Sequence, residues 1–107
     1  MYVFHEDAGH GWLEVPRDEL VELGIMEQIS TYSSQNGQCV YLEEDCDMVV
    51  FIKAKCGTSE MEELEDWWAM NVKENYVDRS PIRRYKTFYV LHGERTTTIL
   101  KNRAQEN

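Results

Sequence analysis

Residues 29–43, ISTYSSQNGQCVYLE, decide the fold that the sequence predicts. Aromatic and β-branched residues stand on both sides of Asn36-Gly37, the dipeptide that most readily supplies the two positive φ angles of a tight hairpin turn. We therefore expect residues 30–35 and 38–42 to form paired antiparallel strands. The segments on either side of this hairpin complete the predicted fold.

Before the hairpin, the sequence predicts two further strands and a short helix. Residues 2–4 and 12–15 are apolar or alternating segments, separated by a glycine- and aspartate-containing stretch that is typical of a turn. Pro16 then suits the first position of a helix, and Gly24 is a common residue just after a helix end. A hairpin followed by a short helix is the expected order.

After the hairpin, the segment Met48–Cys56 allows two structures. Val49, Val50 and Ile52 are β-branched and favour a strand. Asp47 before the segment and Gly57 after it are the residues that favour the two ends of a helix. We expect a helix, with a strand as the alternative.

The next helix has a clear start signal. Ser59 and Glu62 have the spacing of a capping box, and acidic residues fill the first turns, where the helix dipole favours them. We expect this helix to continue to about Tyr76. Beyond it, residues 87–91 and 96–100 around His92-Gly93 predict a terminal hairpin.

Together these elements predict one α+β domain over residues 1–100, followed by a flexible C-terminal tail at residues 101–107. The expected architecture is a small antiparallel sheet of about four to six strands with two or three helices packed on one face. The apolar faces of the elements predict a core formed by Phe4, Trp12, Leu20, Leu23, Tyr41, Phe51, Leu64, Trp68, Phe88 and Val90.

The chain has 107 residues and a formal net charge of −9. Residues 1–72 hold 16 acidic and 3 basic side chains, whereas residues 73–107 hold 4 and 8. Phosphate contacts need clustered cations, so the acidic bulk argues against direct binding to nucleic acid or to an anionic membrane. Basic protein surfaces or metal ions are the partners it favours, and the opposite charges of the two parts leave a homodimer open.

The sequence also indicates a cytoplasmic protein. No stretch approaches the roughly 20 apolar residues of a membrane span, and the first residues lack the pattern of a secretory signal. Cys39, Cys46 and Cys56 match neither a zinc knuckle nor a CxxC redox pair, so we expect reduced thiols.

Several strings can be compared as a set, chiefly HGWLEV at residues 10–15 and VYLEEDCD at residues 40–47. They resemble a family of small uncharacterised proteins, carried by bacteria and their phages or plasmids, that share an HGW-type start and a YLEEDCD-type block. The resemblance covers roughly the first half of the chain. It implies a mobile-element setting, in which small acidic proteins often bind and block a host protein, and it implies no catalytic residue.

The helix that follows Ser59 carries the leading candidate site. Its core stripe is expected to consist of Met61, Leu64, Trp68 and Val72. Trp67 projects about 100° from that stripe and Met70 lies roughly opposite it, among acidic residues. Trp67 is either the anchor of a docking surface or covered by a neighbouring element. The proposed partner-binding residues are Glu60, Glu63, Asp66, Trp67 and Met70.

A metal site is the alternative. Its ligands would be His10, Glu44, Asp45 and Asp47, within or near the acidic block of residues 43–47. The interpretation we favour for the same acids is that Asp47 caps a helix and the others are solvated. The basic residues Arg79, Arg83, Arg84 and Lys86 are expected to pair with acids of the same domain or of a second copy.

Nucleophilic chemistry has little support in the sequence. Asp45 and Asp47 flank Cys46, and their negative charge should raise the pKa of its thiol. No phosphate-binding loop or nucleophile-elbow motif is present. The sequence therefore predicts an acidic, non-enzymatic protein-interaction module without a cofactor, for example a phage or mobile-element inhibitor of a basic, nucleic-acid-handling or defence protein. The alternative is a small metal-dependent enzyme.

Overall fold

The computed structural model describes residues 1–90 and confirms the α+β class. Within those residues a six-stranded mixed sheet has the order β5-β1-β2-β4-β3-β6. The strands are β1 (Tyr2–Glu6), β2 (Gly11–Pro16), β3 (Ser34–Asn36), β4 (Cys39–Glu43), β5 (Val72–Tyr76) and β6 (Lys86–Thr87). The helices are α1 (Arg17–Glu22), α2 (Met48–Cys56) and α3 (Met61–Asn71), with 3₁₀ turns at Met26–Gln28 and Pro81–Arg84.

One edge of the sheet differs from the expected antiparallel pattern. The helix expected to reach Tyr76 ends at Asn71, whose Nδ2 donates a 2.9 Å hydrogen bond to the Trp67 carbonyl near the helix end. Val72 then takes extended dihedral angles and begins β5, which pairs in parallel with β1. The purely antiparallel sheet was therefore wrong at this edge, where the crossover through α3 makes a parallel pair.

The main core lies between the sheet and the helices. Alternating side chains of β1, β2 and β4 point to the same face, because cross-strand partners such as Phe4 and Leu13, or Leu13 and Leu42, lie on one side of a sheet. The buried residues that line this layer are Phe4, Leu13, Val15, Leu20, Ile25, Met26, Ile29, Val40, Leu42, Phe51, Ile52, Leu64 and Phe88. Most of the predicted core is confirmed, with Leu23, Trp68 and Val90 only partly buried against it.

The opposite face of the sheet carries a smaller cluster. Trp12 and Tyr41 project from this face and are covered by Ile82 of the 3₁₀ turn Pro81–Arg84. Tyr85 packs against Tyr41 with a ring-centroid distance of 5.0 Å. The segment after β5 therefore folds back over the sheet and closes part of the face that the helices leave open.

The central hairpin forms, but its turn is shifted by one residue from the expected position. Asn36 pairs with Cys39, so the two loop residues are Gly37 and Gln38. Gly37 has a φ of +61°, and within residues 1–90 no other residue type takes a positive φ. Glycine at the first loop position with only one positive φ fits a type II′ turn rather than the type I′ turn that Asn36-Gly37 predicts.

For the two helices after the central hairpin, the sequence signals gave one correct and one incorrect prediction. Met48–Cys56 is a helix, and it ends at Gly57 in the left-handed conformation. The capping box of Ser59 and Glu62 does not form, because α3 begins after Glu60 and its N-cap makes no side-chain hydrogen bond. Thr58 Oγ1 instead accepts a 3.1 Å hydrogen bond from the Glu60 backbone.

Gly11 at the start of β2 is required by a close approach. A Cβ built there would collide with the Phe4 ring, meeting Cε1 at 2.9 Å and Cζ still closer. Phe4 is buried under the helices, so it cannot easily move aside. Close packing against Phe4 therefore explains why glycine stands at position 11 of the HGW string.

Residues 91–107 contain most of the predicted terminal hairpin and the whole predicted tail, and these expectations lie outside the described residues. Within residues 1–90 every helix is too short or too polar to traverse a lipid bilayer.

Candidate functional site

Helix α3 and the residue directly before it carry five exposed acidic side chains. They are Glu60, Glu62, Glu63, Glu65 and Asp66. Within residues 1–90 none of them has an ion-pair partner. Two large apolar side chains stand beside them, Met61 at 65% and Met70 at 76% exposure. Met61 was expected in the core stripe, but its place in the first turn leaves it outside the packed layer.

Trp67 is covered rather than exposed. Its ring lies 5.5 Å from that of Tyr2 in β1 and 6.4 Å from that of Phe51 in α2, measured between centroids. It is partly buried and packs against the main core. Of the two interpretations that the sequence allowed, the structure supports coverage by neighbouring elements. Trp67 therefore positions α3, and Met70 is the exposed apolar residue of the expected site.

The four candidate metal ligands do not form a ligand set. The part of the chain that the structure describes contains no group of three or more His, Cys, Asp or Glu side chains arranged to hold a metal. Asp47 is buried, and its carboxylate already accepts hydrogen bonds from the Ser30 backbone at 3.0 Å, from Ser30 Oγ at 2.7 Å and from Ser33 Oγ at 2.5 Å. Its role is structural, and it does not cap α2 through its side chain as the sequence suggested.

A cleft of about 570 Å³ lies on the face of the sheet away from the helices. Its lining comes from four separate parts of the chain. These residues are His10, Trp12, Tyr32, Ser34, Glu43, Asp45, Cys46, Ile82 and Arg83. His10 and Asp45, two of the four candidate metal ligands, therefore do meet, in a cleft that Glu43, Arg83 and two aromatic side chains also line.

An ion pair between the buried Asp7 carboxylate and the partly exposed Arg83 side chain fixes one wall of this cleft. The Asp7 carboxylate accepts hydrogen bonds from Arg83 Nε at 2.6 Å and Nη2 at 2.8 Å, and from the backbone of Ser80, Gly9 and His10 at 2.9 to 3.1 Å. The Arg83 guanidinium, with help from the Ser80 amide, holds the pKa of Asp7 well below its usual range. The expected pairing of basic residues with acids of the same domain is confirmed for Arg83.

Glu43 and Asp45 line the cleft, and Glu44 stands between them in the sequence. Desolvation raises the pKa of Glu44, and the nearby charges of Asp45, Glu6 and Glu43 raise it further. The pKa of the Cys46 thiol is also raised, first by desolvation and then by Asp47, Glu43 and Asp45. The expected direction for Cys46 is confirmed, and such a thiol is a weak nucleophile at neutral pH.

A second polar group on the same face was missed by sequence reasoning. His5 Nε2 lies 2.9 Å from Glu14 Oε1, and the His5 ring is 6.0 Å from that of Tyr41. The two residues lie on neighbouring strands, where His5 pairs with Trp12 and Glu14 pairs with Val3. A strand register between residues 2–6 and 11–16 would have placed them on one face, but the sequence alone did not fix that register.

Comparison with known proteins adds no relative: no family model, no curated protein and no solved structure matches this chain.

Proposed function

We propose that this protein is an acidic, non-enzymatic interaction module that binds a basic protein surface through α3. The observation that carries the proposal is the set of five exposed carboxylates, one directly before α3 and four within it, which have no ion-pair partner within residues 1–90. Their mutual repulsion is relieved when a cationic surface docks against them.

The residues of the site have different roles. Glu60, Glu63 and Asp66 provide the negative field that orients a basic partner and accelerates encounter. Met70 supplies exposed apolar area, and its flexible thioether adapts to an irregular partner surface. Trp67 supports the surface from below, since its contacts with Tyr2 and Phe51 fix the position of the helix.

A nucleic-acid-handling or defence protein is the partner class we favour. A groove that binds phosphates is lined by cations. The acidic helix α3 has 11 residues and is about 16 Å long, and the same cations would attract its carboxylates into such a groove. The resemblance of the first half of the chain to proteins of mobile elements agrees with an inhibitor of this kind. The protein's own net charge of −9 disfavours direct binding to the nucleic acid itself.

Charge reversal on α3 tests the proposal. The variant Glu62→Lys/Glu63→Lys/Asp66→Lys is compared with Asp18→Lys/Glu22→Lys/Asp78→Lys, which changes exposed acids elsewhere and has the same formal net charge. Each protein is immobilised, and captured host proteins are quantified at increasing salt concentration. We expect the α3 variant to lose the basic proteins that the control variant retains, and the retained binding to weaken as salt rises.

Equal capture by the two variants would refute the assignment to α3. Thermal unfolding of both variants is measured alongside, because a folded α3 variant is required for the comparison. A matching loss in both variants would show that net charge alone, rather than this helix, governs binding.

A further inference from the structure

The cleft on the other face of the sheet combines three features that suit one kind of ligand. It contains two acidic side chains, Glu43 and Asp45, together with the rings of Tyr32 and His10. The Tyr32 ring is 74% exposed and therefore accessible. The cleft volume of about 570 Å³ falls in the range of pockets that hold a ligand larger than one side chain.

One carboxylate in the cleft is held in position before any ligand arrives. Glu43 Oε2 accepts a 2.9 Å hydrogen bond from the Asp45 backbone, and the Glu43 backbone donates a 3.0 Å hydrogen bond to Ser33 Oγ. The turn that contains Glu43 therefore orients the Glu43 side chain. A preorganised acceptor lowers the entropic cost of binding.

The net charge of the cleft favours a cation. Arg83 is the basic residue among its lining residues, but the bidentate contact with buried Asp7 compensates its charge. Desolvation raises the pKa of the Cys46 thiol in the cleft lining, and the negative charges of Asp47, Glu43 and Asp45 raise it further. An anionic ligand would meet these charges without a free cation among the lining residues to offset them.

We propose that this cleft binds an arginine side chain presented by a short peptide segment, with the guanidinium between the carboxylates of Glu43 and Asp45 and against the Tyr32 ring. Arginine is favoured over lysine because its planar guanidinium stacks on aromatic faces and makes paired hydrogen bonds to carboxylates. A metal ion is a poorer fit, since the described residues offer no group of three suitable ligands.

This site is separate from the surface of the proposed function. Trp12 and Glu43 are cross-strand partners on the face opposite to the helix layer, whereas α3 packs through Leu64 into that layer. Binding at the cleft does not rest on binding at α3, so each proposal can fail alone.

Blocked tripeptides in which arginine, lysine or citrulline stands between two glycines provide the probes. Binding is followed by two-dimensional NMR of the isotope-labelled protein. We expect saturable shifts with the arginine peptide at the amides of Gly11, Ser34 and Glu43. Citrulline has a similar shape without the charge, and we expect its binding to be weaker by about tenfold or more.

Three variants locate the ligand within the cleft. Glu43→Gln, Asp45→Asn and Tyr32→Leu should each weaken arginine binding, the first two by about tenfold. Glu43→Gln keeps an acceptor for the Asp45 amide, and Tyr32 is exposed, so the fold should survive these changes. The Asp18→Lys/Glu22→Lys/Asp78→Lys variant serves as the control, because its substitutions lie outside both proposed sites, and it should bind the arginine peptide as the unmodified protein does.

Three outcomes would overturn the proposal: equal binding of the citrulline peptide, unchanged binding by Glu43→Gln and Asp45→Asn, or shifts confined to α3. The last outcome would leave the proposed function standing. Equal binding of the lysine peptide would overturn the assignment to arginine.

Discussion

Replacing Asp47 by alanine should be among the most destabilising single changes in the described part of the chain. The carboxylate accepts three hydrogen bonds from Ser30 and Ser33, and both it and Ser33 are almost fully buried. Removing it leaves the Ser33 hydroxyl and the Ser30 amide without their acceptor. An orphaned buried donor costs about 1–3 kcal/mol, so the two together predict a loss of about 2–6 kcal/mol.

Urea unfolding followed by tryptophan fluorescence measures this loss. A cost of that size lowers the melting temperature of a domain of this length by more than about 8 °C. Asp45→Ala is the matched control, because Asp45 is exposed and lies only two residues away. We expect that control to change stability by less than about 0.5 kcal/mol.

Asp47→Asn separates charge from hydrogen bonding. Asparagine retains one acceptor oxygen but presents an amide donor to the second serine, so an intermediate loss is expected. If Asp47→Ala lost less than about 1 kcal/mol, the reasoning that this carboxylate joins the 30–33 loop to α2 would be refuted. A metal-dependent rise in stability that disappears in Asp47→Ala would contradict it in another way.

Three further changes test other parts of the structure. Gly11→Ala should cost about 1–3 kcal/mol of unfolding free energy, because the new methyl group meets the buried Phe4 ring; an unchanged melting curve would contradict this. Trp67→Ala should cost about 2–3 kcal/mol, since the partly buried ring loses its contacts with Tyr2 and Phe51; a loss of binding with unchanged stability would restore its role as an anchor. The low pKa of Asp7 contributes stability that is present above about pH 4 and lost as pH falls below it. Urea midpoints from pH 6 to 2 should therefore fall less steeply in Asp7→Asn, and parallel profiles would exclude this contribution.

Local signals in the sequence predicted the helices better than the sheet. Pro16, Gly24 and Gly57 act within a few residues of their own positions, and they marked the ends of α1 and α2 correctly. The strand β5 has no such signal, because VKENY is mostly polar and exposed. Its conformation comes from pairing with β1, which is distant in sequence, and tertiary pairing of this kind overrides local propensity.

The same distinction between local and long-range information applies to the candidate sites. The acidic, exposed residues of α3 could be predicted from helical periodicity, because the whole pattern lies within one segment. The covering of Trp67 does not, because Tyr2 and Phe51 come from two other elements. Asp47 satisfied a local rule for helix caps, yet two serines more than ten residues earlier compete for its carboxylate. The cleft assembles from four segments and has no sequence signature.

The parallel pairing of β1 with β5 has a consequence for the order in which the molecule assembles. The hairpins β1–β2 and β3–β4 join neighbours in sequence, whereas Tyr2 meets Val72 only after a loop of about 70 residues has closed. Contacts between distant segments slow folding, so β5 and the helix before it should dock last. Until then the outer edge of β1 has unpaired backbone groups, and a chain still emerging from the ribosome would present that edge to other strands.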